Sequence, residues 1–179
     1  KSYTYKEFEY NTPLEISEGS KINHQVIIIG AGPIGLTLAI DLAQRGVKSI
    51  ILDDNNIVST GSRAICWAKK TLEIFNRIGI ADKIIDKGIT WEVGRLFNGD
   101  DEVYSFNLLP EKGHKFPAFV NLQQYYVEEF LIEKCLELSN FIDLRFSNEV
   151  VDHVQESNDI KLSVRCPEGL YEMDCKYLV

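Results

Sequence analysis

Residues 25–53 read QVIIIGAGPIGLTLAIDLAQRGVKSIILD, and the order of residue types predicts a strand, a tight turn, a helix and a second strand. Gln25 to Ile29 is an apolar run without polar alternation, as expected of a strand buried on both faces of a parallel sheet. From Pro33 to Arg45 the apolar residues Ile34, Leu38, Leu42 and Ala43 recur at helical spacing, and Gly46 stands where a helix end takes a residue of positive φ. Ser49 to Leu52 is apolar again and ends in Asp53 and Asp54. A strand, helix, strand unit of this kind is joined by a right-handed crossover. The fold class that follows is α/β, a Rossmann-like dinucleotide-binding fold with a parallel sheet.

The turn carries the chemistry. Gly30-Ala31-Gly32-Pro33-Ile34-Gly35 is a G-x-G-x-x-G that leaves a strand and opens a helix. Gly30 permits the tight turn, Gly32 has no Cβ to hold off a pyrophosphate, and Gly35 lets the helix pack closely on the sheet. The helix start adds N–H groups without intrahelical acceptors and the positive end of the helix dipole, both suited to phosphate. Asp53 lies 23 residues after Gly30, at the end of the second strand, where a carboxylate can accept hydrogen bonds from an adenosine ribose and disfavours a 2′-phosphate. A glycine-rich turn can also occur without a ligand. With strand, helix and acid all in place, dinucleotide binding is the expectation, and these residues leave open whether the ligand is NAD or FAD.

Outward from this unit, Asn55 to Ser62 reads as a polar loop, Ala68 to Ile78 as a helix closed by Gly79, and Ala81 to Asp86 as a shorter helix. Thr90 to Leu108 alternates like a hairpin turning at Asn98 to Asp101. Leu109 to Val120, with Pro110, Gly113 and Pro117, reads as loop. A third main helix is expected over Gln124 to Leu138 and a short strand over Ile142 to Phe146. Glu149 to Val179 reads as a three-stranded antiparallel meander with turns near Ser157 to Asp159 and Pro167 to Gly169. The length suits one domain or slightly more, and the expected division is an extended leader, residues 1–23, packed on a domain of residues 24–179.

Composition narrows the function. The chain has 179 residues, 19 Lys+Arg against 27 Asp+Glu and a net charge of -8, which argues against binding nucleic acid or an anionic membrane through phosphates. Its longest apolar stretch is broken by glycines, Pro33 and Asp41, so no membrane span is expected. The leader carries Glu7, Glu9, Glu15 and Glu18 and does not read as a secretory signal. Cys66, Cys135, Cys166 and Cys175 form no C-x-x-C pair, so no metal site is expected, and reduced thiols suit a cytoplasmic protein. Cys166 and Cys175 could still face one another across the meander.

Three further stretches carry a resemblance. Gly61-Ser62-Arg63-Ala64-Ile65, the helix reading Lys70-Thr71-Leu72-Glu73-Ile74-Phe75 with Ile78-Gly79-Ile80 behind it, and Asn121-Leu122-Gln123-Gln124 leading into Val127-Glu128 and Leu131 resemble the flavin-dependent aromatic hydroxylases. That family includes para-hydroxybenzoate, phenol and hydroxyphenylpropionate hydroxylases. The resemblance runs over residues 24–179 and implies FAD as cofactor, with Arg63 and Ala64 alongside it and Gln124, or Gln123 as second candidate, touching its ribityl or phosphate portion. It also implies NAD(P)H as co-substrate, dioxygen, and a small phenolic or aromatic substrate.

The expected cofactor set is therefore Gly30, Gly32, Pro33, Ile34, Gly35, Asp53, Asp54, Arg63, Ala64 and Gln124. No catalytic acid or base is assigned, since the cofactor carries the difficult chemistry. The family's Asp-Gly motif does not occur in these residues, and its Gly-Asp motif belongs much later in the chain than the hairpin's Gly99-Asp100, so the domain reads as an incomplete one that ends inside a strand. Such an end exposes strand edges and apolar surface, and self-association of the isolated fragment, as a homodimer or as aggregates, is the expectation. Two alternatives stay open: an FAD-dependent oxidoreductase of the same architecture with another substrate, or a non-catalytic nucleotide-binding fragment.

Overall fold

The computed structural model describes residues 3–19, 22–61, 63–109 and 111–179. Ser62 of the arginine loop, Pro110, and Lys1, Ser2, Ser20 and Lys21 of the leader lie outside the described residues. The chain forms two compact units, Lys1–Gly61 with Glu128–Val179, and Ser62–Val127.

The first unit is built on a six-stranded sheet. After a one-turn helix α1 (Leu14–Ser17) come β1 (Asn23–Ile29), α2 (Pro33–Gln44) and β2 (Ser49–Leu52), which follow the expected strand, helix, strand order almost residue for residue. α2 ends where Gly46 adopts φ 76°, the left-handed conformation a glycine tolerates without a Cβ clash.

The second unit supplies β3 (Cys66–Ala68), α3 (Lys69–Arg77), α4 (Ala81–Lys87), β4 (Ile89–Trp91), β5 (Val93–Asn98), β6 (Asp101–Asn107) and β7 (Phe119–Asn121). Helix α5 (Gln124–Glu137) then leads back into the first unit, followed by β8 (Ile142–Arg145), β9 (Glu149–Gln155), β10 (Ile160–Cys166) and β11 (Gly169–Leu178).

The sheet order is β8-β2-β1-β11-β10-β9. β8, β2, β1 and β11 run parallel, whereas β9, β10 and β11 form the antiparallel meander. β11 thus belongs to both halves: its start pairs with β10, and Asp174 to Leu178 line up with Asn23 to Ile27 of β1. Its register sets Cys166 opposite Gly169 and Cys175 opposite Ile160, so the two thiols sit at opposite ends of the strand pair and no disulfide can join them.

One face of this sheet carries a cluster of Ile27, Ile50, Leu52, Leu162, Val164, Tyr171 and Met173, with Tyr10 and Ile16 of the leader packed against it. Each apolar side chain buried in this way contributes about 1.5–3 kcal/mol. The leader is not wholly extended, since α1 interrupts it. Phe8 stacks on Phe146 with ring centroids 4.7 Å apart. Glu15, its side chain 3% exposed, accepts a hydrogen bond of 2.8 Å from Arg145 Nη1 and pairs with His24 Nε2 at 2.9 Å. Burial would raise the Glu15 carboxyl, but His24, the backbone and Arg145 outweigh it and hold it down at about 2.

In the second unit, β7 lies between β3 and β4 in a three-stranded sheet, and β5 and β6 form the hairpin. The expected loop over 109–120 therefore ends in a central strand. Three residues are too few to show alternation, and the strand is held by neighbours distant in sequence. Trp67 Nε1 donates to Leu122 O at 2.7 Å, and Trp91 Nε1 donates to Asn121 Oδ1 at 2.9 Å while its ring stacks on Phe119. A Cβ at Gly88 would lie 2.3 Å from Val120 Cγ1, so only glycine lets α4 close on this strand.

Candidate functional site

At the end of β1 the chain turns through Gly30, whose φ of 102° excludes an ordinary side chain. Gly30 N–H donates to Leu52 O at 2.7 Å, which ties the turn to the end of β2. Gly32 caps α2 in an extended conformation and Pro33 occupies the first helical turn, where its missing N–H costs nothing. The first intrahelical bond runs from Leu36 N–H to Gly32 O at 3.0 Å, so the N–H groups of Ile34 and Gly35 precede the ladder and are available to an anion. The Ile34 side chain is 85% exposed beside them.

The three glycines are distinguished by space. A Cβ on Gly35 would fall 2.1 Å from Gly30 O and 3.1 Å from Ile28 Cγ2, whereas a Cβ on Gly32 would meet nothing within 4 Å. The helix is thus pressed onto the turn at Gly35, and the surface above Gly32 is left open. That opening is what an extended diphosphate needs in order to reach backbone N–H groups.

Asp53 closes the other side. Its Oδ2 accepts from Ala31 N–H at 2.6 Å and its Oδ1 from Asn55 N–H at 2.9 Å. Each carboxylate oxygen keeps a lone pair after these bonds, so the group can still accept from a ribose hydroxyl. Burial raises the Asp53 carboxyl above its ordinary value; the Ala31 and Asn55 N–H groups pull it down and neighbouring Asp54 pushes it up. Asp54 is exposed and accepts from Asn55 Nδ2 at 2.6 Å. Ile29, Gly30, Leu52, Asp53, Asp54, Asn148, Glu149 and Val150 line one cleft, which brings together the first glycine and both expected acids.

Arg63, Ala64 and Gln124 belong to the second unit. Arg63 and Ala64 are exposed and Gln124 is half-buried. Gln124 N–H donates to Ala64 O at 3.1 Å and Leu122 N–H donates to Ile65 O at 2.8 Å. The start of α5 is therefore stitched to the arginine loop, so two segments that resemble one family separately are neighbours here. Gln123 is exposed at the same helix start.

Glu128 has a role that sequence reasoning missed. It is 1% exposed and accepts from Ser59 N–H at 2.6 Å and Ser59 Oγ at 2.7 Å, which fixes the loop that ends at Gly61. The available signal was a carboxylate between Val127 and Leu131 on the buried face of a helix, since a buried charge requires donors.

Comparison with known proteins gives a consistent set of matches. The family described as FAD binding domain matches residues 23–179. A flavin-dependent monooxygenase from Mycobacteroides abscessus is 31% identical over 165 residues, covering 86% of this chain and 34% of the relative. A 12-dehydrotetracycline 5-monooxygenase/anhydrotetracycline 6-monooxygenase from Streptomyces rimosus is 30% identical over 161 residues, covering 88% of this chain and 30% of the relative. Among solved structures, p-nitrophenol 4-monooxygenase from Pseudomonas putida superposes with a TM-score of 0.81 at 22% identity, over 89% of this chain and 40% of that one; at that identity the likeness is one of fold. The chain spans about a third of the length of the curated relatives it matches.

Proposed function

We propose a function on the ground that the chain belongs to the FAD binding domain family, which its residues 23–179 match. The chain is read as the FAD-binding portion of a flavoprotein monooxygenase that hydroxylates a phenolic or other aromatic substrate with NAD(P)H and dioxygen. The observation that carries this reading is the junction of β1 and α2: open above Gly32, closed at Gly35, and locked by the Ala31 to Asp53 hydrogen bond. An extended dinucleotide fits such a junction.

In this reading Gly30, Gly32, Pro33, Ile34 and Gly35 hold the pyrophosphate against the helix start. Asp53 binds the adenosine ribose, with Asp54 at the rim. Arg63, Ala64 and Gln124 serve the flavin-side half, Arg63 through a charge-assisted hydrogen bond. Bound FAD would supply the redox and dioxygen chemistry, and this portion of the protein contributes binding and orientation. The names of the relatives support an aromatic substrate. Among the described residues no helix is long and apolar enough to cross a membrane; the cytoplasmic location proposed for the protein rests on its free cysteines. A homodimer remains part of the proposal.

Titration of the flavin-free protein with FAD, followed by NADH or NADPH oxidation with and without a phenol, tests it. Tight FAD uptake with phenol-stimulated oxidation supports the reading, and failure to take up FAD refutes it.

A further inference from the structure

Asp53 is held by more than the glycine turn. Its backbone N–H donates to Arg145 O at 3.0 Å and its carbonyl accepts from Asn148 N–H at 2.8 Å, while Ser147 N–H donates to Asn55 O at 3.1 Å. The corner between β8 and β9 therefore grips the chain on both sides of the acid. To make these bonds Ser147 adopts φ 57°, a conformation that serine takes only at a cost and that persists where its surroundings enforce it.

What enforces it is buried. Asn148 is 1% exposed; its Nδ2 donates to Phe146 O at 2.8 Å and its Oδ1 accepts from Tyr171 O–H at 2.7 Å. Tyr171 stands on β11 within the apolar cluster of the sheet. A continuous series of hydrogen bonds thus runs from Tyr171 through Asn148 to the Asp53 backbone, and from the Asp53 carboxylate to Ala31 in the glycine turn.

We propose that Tyr171 and Asn148 are positioning residues which set the Asp53 carboxylate for the adenosine ribose, so that a side chain 118 positions away in sequence tunes dinucleotide affinity. The proposal rests on the FAD-binding reading given above. Two groups that act through a shared partner lose their separate effects when that partner is removed, which distinguishes positioning from plain support of the fold.

The test measures FAD dissociation constants and melting temperatures for the whole protein as wild type, Tyr171→Phe, Asp53→Asn and the double variant, with Asn148→Ala treated in the same way. Loss of this strut is expected to weaken FAD binding by about tenfold when Asp53 is present and by less than about twofold in the Asp53→Asn background. In the flavin-free protein, hydrogen exchange at the Ala31 and Asn55 amides is expected to speed up in Tyr171→Phe. Equal weakening in both backgrounds, or a lower melting temperature with unchanged affinity, overturns the proposal while leaving FAD binding intact. A wild-type protein that takes up no FAD overturns the functional reading and this inference together.

Discussion

Replacing Gly35 by alanine probes the junction most directly. The added Cβ would sit 2.1 Å from Gly30 O and 3.1 Å from Ile28 Cγ2, and the first of these is backbone that cannot rotate away. α2 must retreat from the turn by roughly an ångström or the Gly30 turn must reopen, and overpacking of this kind costs about 1–3 kcal/mol. For a chain of this size that corresponds to a melting temperature lower by about 2–12 °C. The same displacement carries the Ile34 and Gly35 N–H groups off the phosphate position, so FAD affinity should fall by about 10- to 100-fold. Gly32→Ala is the control. Its Cβ meets nothing within 4 Å, and its φ of -79° is open to any residue, so the melting temperature should hold while the methyl group blocks the pyrophosphate. Thermal melts and FAD titrations of both variants decide the matter. An unchanged melting temperature in Gly35→Ala, or wild-type FAD affinity in Gly32→Ala, would refute the reasoning.

Three other outcomes are expected. Asp53→Ala should weaken FAD binding by about 1–3 kcal/mol through loss of the ribose hydrogen bonds, and isothermal titration showing wild-type affinity would sink that assignment. The Glu15 carboxyl, held at about 2 in the folded chain against an ordinary 4.5, contributes stability that is fully present above 4.5 and lost as pH falls toward 2. That contribution is on the order of 2–3 kcal/mol, so acid-unfolding curves of Glu15→Gln should show a shallower acid limb than wild type. Glu128→Gln removes the charge from the bonds to Ser59 and should loosen the loop that ends at Gly61, read as faster proteolysis there and a stability loss of about 1–3 kcal/mol; unaltered proteolysis would mean the loop is held by other contacts.

Much of this molecule is legible locally. The strand, turn, helix and strand over residues 25–53 follow from apolar runs, helical spacing and glycines that all lie within one short window, and Asp53 can be located by counting from Gly30. The meander over 149–179 is equally readable, because its turns at 157–159 and 167–169 are marked by polar and glycine residues. Arg63, Ala64 and Gln124 stand out only through a family resemblance, as no local periodicity distinguishes a cofactor contact from a surface arginine or a helix-start glutamine.

Other features were decided by tertiary packing alone. β11 completes the parallel sheet by pairing Asp174 with Asn23, and β7 becomes a central strand because β3 and β4 flank it. Despite burial, the Glu15 carboxyl is held low because His24, its own backbone and Arg145, the last 130 positions away, all meet it in the fold. The left-handed Ser147 and the Tyr171 to Asn148 bond likewise have no sequence signature. The physical reason is the range of the interactions: helical and strand periodicity and turn propensity act over a few residues and are written in consecutive letters, whereas strand partners, buried ion pairs and strained corners depend on groups that only folding brings within hydrogen-bonding distance.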